Sequence, residues 1–136
     1  MKRSSKTTTE NKKVRNAVSS EYDGIKFRSN LEIYTYKQLK LHKIDADYEQ
    51  TKFTLQDSFR YKGELVRAIG YTPDFVGDEF VIECKGFANE SFPLKWKMFK
   101  HFLFNNGLDF DLYLPRNQKQ VDEVIQLILN KRNDNS

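Results

Sequence analysis

The sequence predicts an α/β fold, a mixed sheet flanked by helices in the order α-β-β-β-α-β-α. Three observations point there. Helical apolar spacing recurs in three stretches, 27–44, 91–107 and 117–132. Short alternating runs ending in turn residues fill the space between the first two. A brief apolar run, "DFDLYLP", separates the last two. Strands followed by a helix and a further strand imply a mixed sheet covered by helices.

The elements follow in chain order. Residues 1–20 are polar, rich in Ser, Thr, Lys and Asn, and expected to be disordered when free. Residues 21–136 then form one domain, the default for a chain of 136 residues. In "FRSNLEIYTYKQLKLHKI", Ser29 is an N-cap candidate and Glu32 stands three residues on, as in a capping box. Leu31, Tyr34, Thr35, Gln38 and Leu39 can share one helix face. Tyr48 to Gln56 reads as a strand, with Phe53 and Leu55 on one side and Thr54 on the other. Lys62-Gly63 is a turn, and "LVRAIG" leads into the strand "YTPDF". Gly77-Asp78 looks like a hairpin turn with Glu79 to Lys85 as the return strand. Ser91 is placed to cap the second helix, Pro93 suits its first turn, and Asn106-Gly107 suits its stop. The last helix carries Val121, Val124, Ile125, Ile128 and Leu129 on its apolar face.

Composition narrows the function classes. Charged residues are 31% and hydrophobic ones 38%, as in a soluble globular protein. No apolar run approaches the ~18 residues of a membrane span, and the basic N-terminus lacks a signal peptide's apolar stretch. Cys84 is the single cysteine, so no intrachain disulfide forms and a reducing cytoplasm is expected. His42 and His101 have no metal-ligand spacing, and no glycine-rich phosphate loop or Ser/His/Asp set stands out. Lys2, Arg3, Lys6, Lys12, Lys13 and Arg15 face only Glu10 in the first fifteen residues, while the rest of the chain is close to neutral. Such a tail either binds a polyanion such as DNA or simply solubilises the chain. Lys95, Lys97, Lys100 and His101 interleave with aromatics in the second helix, and Lys95 is the first choice for a DNA-backbone contact.

The run "YTPDFVGDEFVIECKG" raises the central question, because it places charges in apolar strands. Side chains alternate along a strand, and residues paired across a hairpin point the same way. With Gly77-Asp78 as the loop, one face carries Tyr71, Pro73, Phe75, Phe80, Ile82 and Cys84. The other carries Thr72, Asp74, Val76, Glu79, Val81, Glu83 and Lys85. A four-residue loop keeps the same parity. Asp74 then lies diagonal to Glu83, with backbones ~7–8 Å apart, within reach of one shared cation. Oxygen-only ligation of this kind suits Mg²⁺. Two carboxylates, a metal and the Lys85 ammonium together suit phosphodiester hydrolysis. A solvated sheet face with a surface ion pair is the alternative, and Glu32 has a purely structural alternative as a capping residue.

"FRSNLE", "YTPDF" and "ECKG", in this order, resemble the PD-(D/E)XK nuclease superfamily, and most closely the phage endonuclease I family of Holliday junction resolvases. The chain also resembles an uncharacterised phage family with expected nuclease activity, through "GIKF", "KFTL", "VIECKGF" and "LKWKMFK", together covering about 24–100. The resemblance implies a restriction-endonuclease-like core. It implies that Asp74 and Glu83 ligate Mg²⁺, for which Mn²⁺ substitutes, together with the Cys84 backbone carbonyl. It implies that Glu32 helps hold a second metal or orient water, and that Lys85 is the catalytic lysine. It also implies a homodimer, with residues 44–70 as the bridging segment. The function expected is metal-dependent cleavage of branched DNA, with no membrane partner. A restriction- or transposition-type nuclease acting on linear duplex, and a DNA-binding module that cuts nothing, are the alternatives.

Overall fold

The computed structural model describes residues 20–85 and 90–134. The elements are β1 (Ser20–Tyr22), β2 (Ile25–Phe27), α1 (Asn30–Leu41), β3 (Asp47–Tyr48), β4 (Phe53–Gln56), β5 (Phe59–Tyr61), β6 (Glu64–Val66), β7 (Ile69–Tyr71), β8 (Phe75–Val76), β9 (Phe80–Ile82), α2 (Phe92–Asn105), β10 (Asp111–Tyr113) and α3 (Gln118–Asp134). The fold is mixed α/β. The chain divides into two compact units, Met1–Lys43 with Cys84–Phe87 and Pro115–Ser136, and Ile44–Glu83 with Ala88–Leu114.

In the first unit, β1 and β2 form a hairpin closed by Asp23-Gly24, both at positive φ. That dipeptide suits a tight turn whose two central residues are left-handed. The described fold thus begins at Ser20, one residue before the expected boundary. Helices α1 and α3 pack together. The α3 stripe Val121, Val124, Ile125 and Ile128 is buried, as its spacing predicts. Tyr34 Oη donates to Asp122 Oδ1 at 2.6 Å across the pair. This bond, to an acceptor that favours the protonated phenol, raises the Tyr34 pKa.

In the second unit the main sheet runs β10-β9-β8-β3. β9 is parallel to β10 and antiparallel to β8, and β8 is antiparallel to β3. The sheet is therefore mixed. Val76 and Val81 on one face pack with Tyr71, Trp96, Phe99 and Leu103, so α2 covers that face. Phe75 and Ile82 are buried on the other, with the Tyr48 ring 5.2 Å from that of Phe75. β4 pairs with β7, and its half-buried Phe53 and Leu55 alternate with exposed Thr54 and Gln56, as expected. β5 and β6 form a hairpin whose two-residue loop is Lys62-Gly63, both at positive φ.

Three local expectations are corrected. The run Tyr48 to Gln56 is not one strand, because Glu49 takes φ 53 and separates β3 from β4. Ser91 has helical dihedrals, and its side chain makes no capping bond to α2. The Gly77-Asp78 loop has four residues rather than two, since Val76 pairs with Val81. The Phe80 ring lies where a Cβ on residue 77 would sit, and the Gly77 N–H donates to the Phe80 carbonyl at 2.9 Å. Only a residue without a side chain fits beneath that ring.

The α2 stop is as the sequence suggests. The Leu108 N–H bonds the Leu103 carbonyl and the Gly107 N–H bonds the Phe104 carbonyl, with Gly107 at φ 66. This is a Schellman closure.

Candidate metal and catalytic residues

The second unit brings Asp74 and Glu83 together. The wider loop keeps the parity of a two-residue one, and one further step of the register puts Asp74 directly opposite Glu83 rather than diagonal to it. The Asp74 N–H donates to Glu83 Oε1 at 3.2 Å. The Glu49 N–H donates to the Asp74 carbonyl at 3.0 Å, and the Glu83 N–H to that of Tyr113 at 2.9 Å. The backbone on both sides of the pair is thus pinned by neighbouring strands. Asp74 is only 5% exposed, and Glu83 is half-buried. A carboxylate so enclosed is costly unless hydrogen bonds or a cation compensate.

Tyr71 is a further participant, on the carboxylate face and not, as strand alternation predicts, on the face of Phe75 and Ile82. Counting alternation through Thr72 and Pro73 treats the segment as one continuous strand. Instead β7 ends at Tyr71, a bend at Asp74 intervenes, and β8 begins at Phe75. Proline has no N–H to continue a ladder. Across the break Tyr71 swings to the carboxylate side, and its Oη donates to Glu83 Oε1 at 2.6 Å. The short distance marks a charge-assisted bond. Burial first, then the Glu83 and Asp74 charges, push the Tyr71 pKa far above its usual 10.0. The phenol therefore keeps its proton and remains a donor to Glu83. The ring also packs 5.0 Å from Phe99 and 6.1 Å from Trp96. That anchor fixes where the hydroxyl points.

The first unit holds Glu32, Cys84 and Lys85. Ser29 caps α1, accepting from the Glu32 N–H at 3.2 Å through its Oγ. Glu32 Oε1 in turn accepts from the Arg28 N–H at 3.0 Å. The reciprocal bond of the box therefore reaches one residue further back than the N-cap. Glu32 is 6% exposed. Cys84 is half-buried, outside any disulfide, and its Sγ lies 3.4 Å from Thr35 Oγ1. Lys85 is half-buried, and its backbone N–H bonds the Pro115 carbonyl at 2.9 Å.

Lys2, Arg3, Lys12, Lys13 and Arg15 lie outside the described residues. Lys95 is half-buried in the first turn of α2, while Lys97 and Lys100 are exposed. Among the described residues, no group of three or more His, Cys, Asp and Glu is arranged to hold a metal ion. Asp74 and Glu83 form a pair. Mg²⁺ binds through as few as one or two carboxylates and keeps several waters, so a pair fits it. No described helix is long and apolar enough to cross a membrane.

A family described as protein of unknown function, DUF1064, matches residues 11–121. The chain belongs to that family. The match of DUF1064 spans Glu32, Asp74, Glu83 and Lys85 alike. No curated protein and no solved structure matches this DUF1064 chain significantly.

Proposed function

We propose that this chain is a Mg²⁺-dependent DNA endonuclease of the PD-(D/E)XK type that cuts branched DNA in preference to linear duplex. The observation that carries the reading is the carboxylate pair at the β8–β9 hairpin. Asp74 is buried, and Glu83 is held by a tyrosine that keeps its proton. A solvated sheet face with a surface ion pair would have neither property.

Asp74 and Glu83 would hold the cation. Bound there, it would supply a lower pKa to water and offset the charge on the phosphate. The other roles belong to the chain's own side chains. Tyr71 fixes the Glu83 carboxylate through Oε1. Lys85, two residues along the chain from Glu83 and so at most ~7 Å away between Cα atoms, offers an ammonium to the charge developing on the phosphate. Glu32 orients water or supports a second cation, the role implied by the family resemblance. A homodimer bridged by residues 44–70 belongs to the same reading.

The test is incubation of a four-way junction, and of linear duplex with the same arms, with the protein and Mg²⁺ or Mn²⁺. The wild type should cut the junction preferentially and only with metal. Asp74→Asn, Glu83→Gln and Lys85→Ala should bind the junction and leave it whole. Equal cutting by wild type and Lys85→Ala would remove the mechanism. Equal cutting of both substrates would leave a nuclease without the branch preference.

A further inference from the structure

We infer that the outer face of α2 is a docking surface for a nucleic-acid strand with unpaired bases. The surface belongs to the second unit alone. Leu94, Lys97, His101 and Phe104 follow one another at helical spacing of three and four, with Lys100 beside them. All are exposed, and Phe104 is 82% exposed. The opposite face of the helix, Trp96, Phe99 and Leu103, is spent on the core.

Two features select the occupant. The helix carries no acidic residue, and Lys97 and Lys100 give the exposed stripe two positive charges. A second copy packed on this face about a twofold axis would bring the same lysines against each other. A polyanion is favoured instead. The exposed ring then selects among polyanions, because a flat aromatic beside ammonium groups is what unpaired bases stack on while their phosphates are neutralised. A groove of ≈ 750 Å³ flanks the ridge between α2 and β4, lined by Leu55, Gln56, Met98, Phe102 and Asn105 among others, with Asp57 its acidic member. Apolar and amide groups there can receive a neighbouring base. The choice of nucleic acid as occupant rests on the nuclease reading. The surface deepens that reading by giving a branched substrate that exposes unpaired bases at its branch something to touch that a closed duplex lacks.

The experiment is anisotropy titration of the full chain with a labelled unpaired oligothymidylate and a blunt duplex, in EDTA, over a salt series. Phe104→Ala should weaken oligothymidylate binding by about 5- to 100-fold and leave the duplex within about twofold. Phe104→Tyr should restore it. Lys97→Gln with Lys100→Gln should weaken both probes and flatten the salt slope for the single strand by about 1.4. Unchanged far-ultraviolet dichroism of each variant shows that the fold is intact. Wild-type binding of oligothymidylate by the Phe104→Ala chain would overturn the inference. So would equal competition by polyglutamate, or a Phe104→Ala effect confined to sedimentation. A chain that binds through Phe104 in EDTA but cuts no junction once Mg²⁺ is supplied sinks the nuclease reading alone. A chain that cuts junctions while binding is indifferent to Phe104 sinks this surface alone.

Discussion

Helices α1 and α3 start in the same way and differ in one respect. Ser29 caps the first and Asn117 the second, each accepting from the N–H three residues on. Glu32 and Gln120 each return a side-chain oxygen to the N–H four residues before them, those of Arg28 and Arg116. The backbone work is identical. Yet Gln120 is a neutral, half-buried amide, while Glu32 is a carboxylate that is almost wholly enclosed. An amide suffices for the capping bond, and the Glu32 charge adds to it a favourable interaction with the positive end of α1. Enclosing a charge is costly nonetheless. The difference is therefore one of charge and enclosure, not of backbone geometry.

The largest effect expected of this comparison tests that difference directly. Glu32→Gln keeps the oxygen that bonds Arg28 and removes only the charge. Junction cutting should fall by about 10- to 100-fold, while the melting temperature stays level or rises. A variant that melts early and cuts normally would make Glu32 a capping residue and nothing more.

The same contrast sharpens at Glu83, which is held by a side-chain hydroxyl rather than a helix start. Tyr71→Phe keeps the ring packing and deletes the bond, and should cost about tenfold in cutting, recovered in part at high metal concentration. It should also alter the alkaline limb of stability. The folded chain keeps the Tyr71 proton where an unfolded tyrosine loses it, so this contribution is whole below about pH 10 and falls as pH rises further. The slope is up to about 1.4 kcal/mol per pH unit. Urea unfolding at alkaline pH should show a shallower decline for Tyr71→Phe than for the wild type.

Smaller effects belong to the caps themselves. Ser29→Ala and Asn117→Ala should each destabilise by about 1 kcal/mol, read by urea midpoint. Gln120→Glu should move stability by less than about 0.5 kcal/mol and leave cutting unchanged. A large effect on cutting would show that the two helix starts are not the separate cases described.

How far the site was legible in the sequence follows from which forces are local. The α1 box, the Lys62-Gly63 turn, the Asn106-Gly107 stop and the α3 stripe are fixed within a few residues, and each is where the sequence places it. Parity survived a wrong loop length, because Val76 pairs with an odd-numbered partner in either register. That is why Asp74 and Glu83 could be put on one side of the sheet. Tyr71 could not be, since its position depends on a break at Pro73 and on packing against Trp96 and Phe99 some twenty-five residues later. Burial of Glu32 was equally hidden: Ser29-x-x-Glu32 and Asn117-x-x-Gln120 are the same pattern in sequence, and only tertiary packing distinguishes them.

Calorimetric titration of Mn²⁺ into the wild type and into Asp74→Asn is the most direct measurement of the central claim. The account predicts saturable binding by the wild type and its loss in the variant, with unchanged melting in metal-free buffer. The same binding heat from both proteins, or none from the wild type, would contradict it.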